Sequence, residues 1–294
     1  MRRFLPFIIL AAVVSPAGAQ DMPLTMVLLP GENWRSVPGD LPFVHSLASG
    51  PNGEVYVAHH EGRQIDRIDR DGKLHAFARP SSAVMGMAFA PDGRLYACQT
   101  GKNRIIALDA KGKESVLIED LPAFYLAVTR DGWIYATSPS ENAIYRIGKD
   151  GKKKCVEQHM PTALGITLWV DQGTLVAGDM EGRHLTAFRI DKDGNLGARE
   201  KYYTLRRRTG EDGLVAAMTL DSARRLYAAT RLGVQVFDPT GRMCGVLLRP
   251  EPAPVISLAF GGADMDRLYI VCGGKLYVRK TKAKGVTLAP AKSQ

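Results

Sequence analysis

The stretch PDGRLYACQTGKNRIIALDAKGKESVLIE, residues 91–119, contains three short apolar segments separated by polar turns. Asp92-Gly93 precedes the first segment, and Gly accepts the positive φ that a tight hairpin turn requires. Apolar residues alternate or pair over four or five positions, as in half-buried or fully buried strands. The stretch therefore predicts a small antiparallel sheet.

Related stretches occur six times along the chain. The other five are PNGEVYVAHHEGRQIDRID at 51–69, RDGWIYATSPSENAIYRIG at 130–148, DQGTLVAGDMEGRHLTAFRI at 171–190, DSARRLYAATRLGVQVFD at 221–238 and DMDRLYIVCGGKLYVRK at 264–280. One apolar or aromatic residue marks each copy: Tyr56, Tyr96, Tyr135, Val176, Tyr227 and Tyr269. The markers are about 40 residues apart, with one longer step of about 50, and such a period is typical of β-propeller blades. We predict an all-β, six-bladed β-propeller with four-stranded blades.

The ends of the chain are predicted to close the ring. Trp34–Val37 resembles an outermost strand but has no preceding blade, whereas the sixth copy lacks a clear fourth strand. We therefore expect the N-terminal strand to complete the last blade and leave no open sheet edge there.

The N-terminus, MRRFLPFIILAAVVSPAGAQ, has the order of a secretory signal: a basic pair, an apolar run over Phe4–Val14, and small residues at Ala17-Gly18-Ala19. The run is too short for a permanent membrane span. We expect residues 1–19 to be a signal peptide cleaved near Ala19, residues 20–294 to form one propeller, and the mature protein to be periplasmic or secreted.

Composition argues against nucleic-acid binding, although the formal net charge is +9. The basic clusters at 152–154, 206–208 and 280–284 fall in predicted turns or the tail and have no interleaved stacking aromatics. The four cysteines form no CxxC pair, and the sequence does not show which of them would pair in a disulfide. A large propeller core does not require a disulfide, so we expect mostly buried free thiols.

One side chain per blade is expected at the mouth of the channel where the innermost strands begin. Alignment of the repeats assigns this ring position to His45, Met85, Phe124, Leu164, Ala216 and Ile256. Five of the six are apolar, so the ring is predicted either to line a pocket for an apolar ligand or to fill the channel with packed side chains.

Several blades resemble the senescence marker protein/gluconolactonase/luciferin-regenerating enzyme family. The resemblance rests on PDGRLYAC at 91, VTRDGWIYATSP at 128, RLYAATRLGVQVFD at 225 and LAFGGADMDRLYIVCGGKLYVRK at 258. It implies a six-bladed propeller that hydrolyses lactones or related esters with one divalent metal. In that family a first-blade Glu, a third-blade Asn and a fifth-blade Asp hold the metal, and they align here with His45, Phe124 and Ala216.

The family's second-blade and fourth-blade Asn positions align with Met85 and Leu164. Calcium and magnesium require oxygen ligands, which Phe, Met, Leu and Ala side chains do not offer. We therefore predict no metal at the family site. A different register that brings Asp212 to the ring is left open as an alternative.

Histidines offer another site at the same mouth. His45 is expected across a hairpin from His59 or His60, with Asp179 or Cys272 as a third group. Such a group suits a zinc-like ion or a His-activated thiol. The alternative is that these are ordinary rim residues with hydrogen bonds.

The sequence thus leaves three functions open. One is a structural or interaction propeller whose channel is filled by Met85, Phe124 and Leu164 and which binds through its loops. The preferred hypothesis is a degenerate family member, a pseudoenzyme without a cofactor, that binds a small molecule or a protein partner at the central mouth. The alternative is a hydrolase of lactone or ester bonds, which depends on calcium or zinc or on His45, His59 or His60.

Overall fold

The chain folds as six repeats of one antiparallel four-stranded sheet. The computed structural model describes residues 22–286 except 40, 42, 60–62 and 181; the predicted signal peptide and His60 lie outside the described residues. Among the described residues, three short 3₁₀ helices accompany the strands, at Leu24–Met26, Thr100–Lys102 and Pro139–Glu141. No helix in this part of the chain is long and apolar enough to cross a membrane.

The blades follow one another along the chain, and blades 1 to 5 each contain four strands in sequence order. Blade 1 contains β2 (Val44–Ser49), β3 (Val55–His59), β4 (Ile65–Ile68) and β5 (Leu74–Ala78). Blade 2 contains β6 (Met87–Phe89), β7 (Leu95–Gln99), β8 (Arg104–Leu108) and β9 (Glu114–Ile118). Blade 3 contains β10 (Tyr125–Val128), β11 (Ile134–Ser138), β12 (Ala143–Ile147) and β13 (Lys153–Glu157).

The second half of the ring repeats the same order. Blade 4 contains β14 (Ala163–Leu168), β15 (Thr174–Asp179), β16 (His184–Ile190) and β17 (Leu196–Thr204). Blade 5 contains β18 (Ala217–Leu220), β19 (Leu226–Thr230), β20 (Gly233–Phe237) and β21 (Met243–Leu248). Blade 6 contains β22 (Val255–Gly261), β23 (Arg267–Cys272) and β24 (Lys275–Lys280), and its fourth strand is β1 (Arg35–Ser36).

The ring closes through the N-terminal strand, as predicted. In β1, Arg35 lies opposite Val278 and Ser36 opposite Tyr277. The Trp34 indole Nε1 also donates a hydrogen bond of 2.8 Å to the Leu248 carbonyl of blade 5. The outer edge of β24 is therefore paired, which removes an open edge where other chains would add.

The six marker residues of the repeats lie in the second strands and are all at most 8% exposed. They belong to five apolar clusters, and such burial drives assembly of the ring. The four cysteines are all free thiols: Cys98 and Cys272 are buried, and Cys155 and Cys244 are half-buried. Mostly free thiols were expected, although only two of them are buried.

The first strands of neighbouring blades contact one another and surround the central channel. We call the end where these strands begin the start mouth; it carries the six ring positions. We call the other end the turn mouth; there hairpin turns join the first and second strands of the blades. Gly53 in the first of these turns has φ +89°, and its carbonyl accepts a hydrogen bond of 2.8 Å from Gly262 N of blade 6.

Candidate functional site

The six ring residues occupy equivalent places at the start mouth. In blades 1, 4 and 6 the pairing of the first two strands shifts at the ring position, so His45, Leu164 and Ile256 lie in β-bulges. In the other blades one backbone hydrogen bond recurs: Met85 N to Cys98 O, Phe124 N to Thr137 O and Ala216 N to Ala229 O. The common geometry supports the repeat alignment from which the ring was derived.

The ring is apolar and mostly packed. Met85 is 6% exposed, Leu164 7% and Ala216 5%, and Phe124 and Ile256 are half-buried. His45 is the single polar side chain at these six positions and is also half-buried. Five of the six side chains at the start mouth are therefore apolar, and three of these are buried.

His59 does not lie opposite His45. Because of the bulge at His45, His59 is paired with Val44 instead. Its Nε2 is 2.8 Å from Asp66 Oδ2, and the two side chains are only 2% and 3% exposed. The other Asp66 oxygen accepts a hydrogen bond of 2.8 Å from Gln64 Nε2. The His59 imidazole is therefore held inside its own blade.

The equivalent rim residues of other blades also make local hydrogen bonds. Cys272 Sγ donates to the Ala253 carbonyl at 3.2 Å, and Thr230 Oγ1 donates to Gly233 O at 2.8 Å. Burial raises the pKa of the Cys272 thiol, which disfavours a thiolate nucleophile. Cys272 and Thr230 thus bind backbone carbonyls of nearby loops, which agrees with the alternative that they are ordinary rim residues.

Asp212 lies upstream of the ring in the loop that leads to blade 5. Its two carboxylate oxygens bind Arg231, with Oδ1 2.5 Å from Nε and Oδ2 2.8 Å from Nη2. This hydrogen bonding lowers the pKa of Asp212 and raises the pKa of Arg231. Ala216, not Asp212, has the backbone hydrogen bond of the ring position.

Asp179, the last residue of β15, accepts a hydrogen bond from Gly182 N in the loop that follows. Within the part of the chain that the structure describes, no three His, Cys, Asp or Glu side chains are grouped so that they could hold a metal ion. The fallback ligands His45, His59, Asp179, Asp212 and Cys272 are therefore not brought together as one such group.

A cavity of about 190 Å³ lies in the central channel. The six first strands contribute to its wall, and Pro51, Arg130 and Gln172 extend it to the turn mouth. None of the six ring residues lines it. No sequence pattern indicated this position, because the cavity depends on how the six first strands pack around the axis.

Sequence reasoning also missed Asp66 and Arg231, the partners of two candidate residues. Asp66 is buried in β4 together with Ile65 and Ile68, whereas the other charged residue of the strand, Arg67, is half-buried. An acidic residue at such a position requires a hydrogen-bonding partner. That signal was present in the sequence, but it did not identify His59 as the partner.

The family model for the SMP-30/Gluconolactonase/LRE-like region matches residues 123–273, about half of the chain. The chain belongs to this family. The match covers blades 3 to 5 and most of blade 6, and the fold of the whole ring agrees with the resemblance seen in the repeats.

Individual relatives agree with the family assignment. Pentonolactonase XacC of Haloferax volcanii is 28% identical over 229 residues, which cover 75% of this chain and 77% of that protein. The gluconolactonase XC5397 of Xanthomonas campestris has a TM-score of 0.75 at 22% identity, covering 86% of this chain and 91% of that chain. Regucalcin of Agrobacterium tumefaciens, described as a calcium-binding protein, has a TM-score of 0.73 at 16% identity, covering 89% and 98%. At such identities the structural matches show the fold.

The ring does not fit the divalent cation that the family implies. Calcium takes six to eight oxygen ligands, typically with several carboxylates. The side chains of Phe124, Leu164, Met85 and Ala216 have no oxygen, and the imidazole of His45 is a nitrogen donor. The nearest carboxylate upstream of the fifth ring position, that of Asp212, already binds a guanidinium.

Proposed function

We propose that this protein is a gluconolactonase-family propeller that has lost metal-dependent lactone hydrolysis and binds a small molecule in its central channel. The observation that carries the proposal is the apolar ring. Five of the six equivalent ring positions have apolar side chains, and the three positions aligned with the family's metal ligands are His45, Phe124 and Ala216. Replacement of all three oxygen donors removes the ligands a hard cation needs.

The rim residues support the same proposal. A His-dependent hydrolase requires an imidazole that can reach a substrate and exchange a proton with it. The His59 imidazole is 2% exposed and bonded to Asp66, so it does not meet that requirement. His45 is the other described histidine among the candidate residues. Lactone turnover by the wild-type protein that is lost in folded His45→Ala would contradict the proposal.

Metal analysis and a lactonase assay test the proposal directly. The purified mature protein should contain no stoichiometric metal, and calorimetric titration with calcium or zinc should show no saturable binding. Hydrolysis of D-glucono-1,5-lactone should stay at the spontaneous rate with calcium present, whereas the Xanthomonas gluconolactonase serves as an active control. Stoichiometric calcium together with calcium-stimulated turnover would refute the proposal.

We also propose that the protein is exported. The basic pair, the apolar run and Ala17-Gly18-Ala19 support removal of a signal peptide near Ala19. Mass spectrometry of the protein recovered from the periplasm or medium should give a mature N-terminus near Gln20. An unprocessed N-terminus on protein retained inside the cell would contradict export.

A further inference from the structure

Blade 2 exposes an apolar side chain in the middle of its outermost strand. That strand, β9, is an edge of its sheet, and among the described residues β8 is the one strand that pairs with it. Val116, at the centre of β9, is 45% exposed. Leu117 and Ile118 pack against the core of the blade instead. A free sheet edge with an exposed β-branched residue at its centre is a template for pairing with another strand.

The backbone of Val116 directs its hydrogen-bonding groups to this free edge. At the hairpin turn, Asp109 N donates to Lys113 O at 3.2 Å, so these residues form a hydrogen-bonded pair. Along an antiparallel ladder, such pairs alternate with pairs whose N–H and C=O groups point away from each other. Three residues further along the register, Val116 and Ile106 form a pair of the second kind. The N–H and C=O of Val116 therefore face outward.

The other outermost strands have features that oppose such pairing. β13 begins with the exposed pair Lys153-Lys154, and β17 has exposed charges at Arg199–Lys201. β1 is only two residues long, and the first 3₁₀ helix packs against β21. The turn before β9 packs on β5, where a Cβ at Gly112 would lie 2.4 Å from Phe77 O. By contrast, β9 has no exposed charged side chain within its bounds.

The residues that flank β9 make this strand complementary to a second copy of itself. Lys111 and Lys113 precede the strand, Glu119 and Asp120 follow it, and all four are exposed. In an antiparallel pair with a two-fold axis at Val116, the basic end of each strand faces the acidic end of the other. Lys113 then lies opposite Glu119 of the second copy. Parallel pairing would place like charges side by side, which is unfavourable.

The charges nearest to this surface leave that complementarity intact. Glu114 lies at the basic end, but its carboxylate accepts hydrogen bonds from Ser81 N at 2.7 Å and Arg104 Nη2 at 2.8 Å and is 19% exposed. At the acidic end, Arg104 Nη1 is 3.7 Å from the Glu119 carboxylate, and Lys153 Nζ is 3.5 Å from the Glu119 backbone oxygen. Both distances are too long for a strong hydrogen bond. The Glu119 side chain is 58% exposed, so a second copy can reach it.

We propose that β9 is a self-association surface, where two copies of this chain pair blade 2 with blade 2, edge to edge and antiparallel. Two four-stranded sheets then form one continuous sheet across the two-fold axis. The surface lies on the perimeter of the ring, so the proposal does not depend on the function of the channel. A β-bulge at Leu117 interrupts the register. The bulge limits the paired length, so the dimer is weak and dissociates on dilution.

Sedimentation velocity of the purified mature protein, over a concentration series that extends into the millimolar range, measures this association. The wild type should shift reversibly from monomer to dimer as its concentration rises. Val116→Lys places two ammonium groups face to face at the axis and should weaken dimerisation about tenfold or more. Ala198→Lys introduces the same charge at an exposed position of β17. This matched control should dimerise like the wild type.

Charge reversal tests the antiparallel orientation. Lys113→Glu and Glu119→Lys each place like charges at both ends of the pair, and each should weaken dimerisation about tenfold or more. An equimolar mixture of the two variants should associate again, because in the mixed dimer each reversed residue faces an opposite charge. The double variant Lys113→Glu/Glu119→Lys should dimerise for the same reason.

Reversible dimerisation that follows this order supports the proposal, with circular dichroism used to show that each variant is folded. The proposal is overturned if the wild type stays monomeric throughout the series or if folded Val116→Lys dimerises like the wild type. It is also overturned if the mixture of Lys113→Glu and Glu119→Lys associates no better than either variant alone. The charge variants keep the test decisive even where Val116→Lys does not fold.

Discussion

Replacing His59 by alanine should lower the free energy of unfolding by about 2–4 kcal/mol. The Nε2 of His59 lies 2.8 Å from Asp66 Oδ2, and the side chains are 2% and 3% exposed. Removing the imidazole leaves a buried carboxylate oxygen without this partner, which costs about 1–3 kcal/mol, and lost burial of the ring adds about 1 kcal/mol. Gln64 still donates to the other oxygen of Asp66, so the carboxylate keeps one partner.

A second histidine in the same blade offers a matched control. His75 Nε2 is also 2.8 Å from a carboxylate, that of Asp69, but these side chains are 43% and 27% exposed. Water replaces the lost partner at an exposed site, so His75→Ala should cost less than about 1 kcal/mol. The difference between the two variants therefore measures the effect of burial at equal geometry.

Urea unfolding followed by tryptophan fluorescence measures both free energies, and Asp66→Ala completes a double-mutant cycle with His59→Ala. We expect the cycle to give a favourable coupling of about 1–3 kcal/mol. Equal stability losses in His59→Ala and His75→Ala would refute the reasoning from burial. Unchanged stability in His59→Ala combined with lost ligand binding would assign the residue a functional role instead.

Three further measurements test other features of the structure. Gly53→Ala should destabilise the protein by about 1–3 kcal/mol more than Gly93→Ala. Both glycines have positive φ, but a Cβ at Gly53 would lie 2.3 Å from a carbonyl oxygen of blade 6, whereas a Cβ at Gly93 would contact nothing. Equal losses of stability in urea unfolding would contradict this. The pKa of Asp69 is lowered from 3.8 to about 2, chiefly by the hydrogen bond from His75, so the stabilising contribution of Asp69 is present above pH 3.8 and is lost as pH falls through 2. An NMR titration should show a higher pKa of Asp69 in His75→Ala, and an unchanged pKa would argue against the assigned cause. Burial raises the pKa of the Cys98 thiol, so it should react with a thiol reagent only on unfolding, and fast labelling of the native protein would show that it is accessible.

The sequence predicted the architecture well because the propeller is a local structure repeated in series. Five of the six blades contain only contiguous strands and their turns. Apolar markers such as Tyr96, with Asn-Gly or Asp-Gly steps in blades 1 to 3, were therefore sufficient to locate the blades. The closing strand was also predicted, since Trp34–Val37 had strand character without a blade of its own. The structure places β1 at Arg35–Ser36 and pairs it with β24.

The candidate site was predicted only in part. The ring residues came from alignment of the repeats and lie in equivalent places, because the repeat fixes where each first strand begins. The alignment of the repeats did not identify the partners of the polar residues. Asp66 contacts His59 from the adjacent strand, and Arg231 binds Asp212 from a different loop. One-residue bulges at positions such as His45 change which side chains face each other, and no turn motif predicts them.

By itself, the sequence determined the number of blades, the closure of the ring and the apolar character of the start mouth, because these depend on periodic burial and on residue type at repeated positions. The tertiary structure decided which polar groups bind one another and where space remains in the channel. Six first strands contribute to the cavity wall, and the distances between them are set by packing of all the blades together. Contacts of that kind join residues from distant parts of the chain, so no local pattern specifies them.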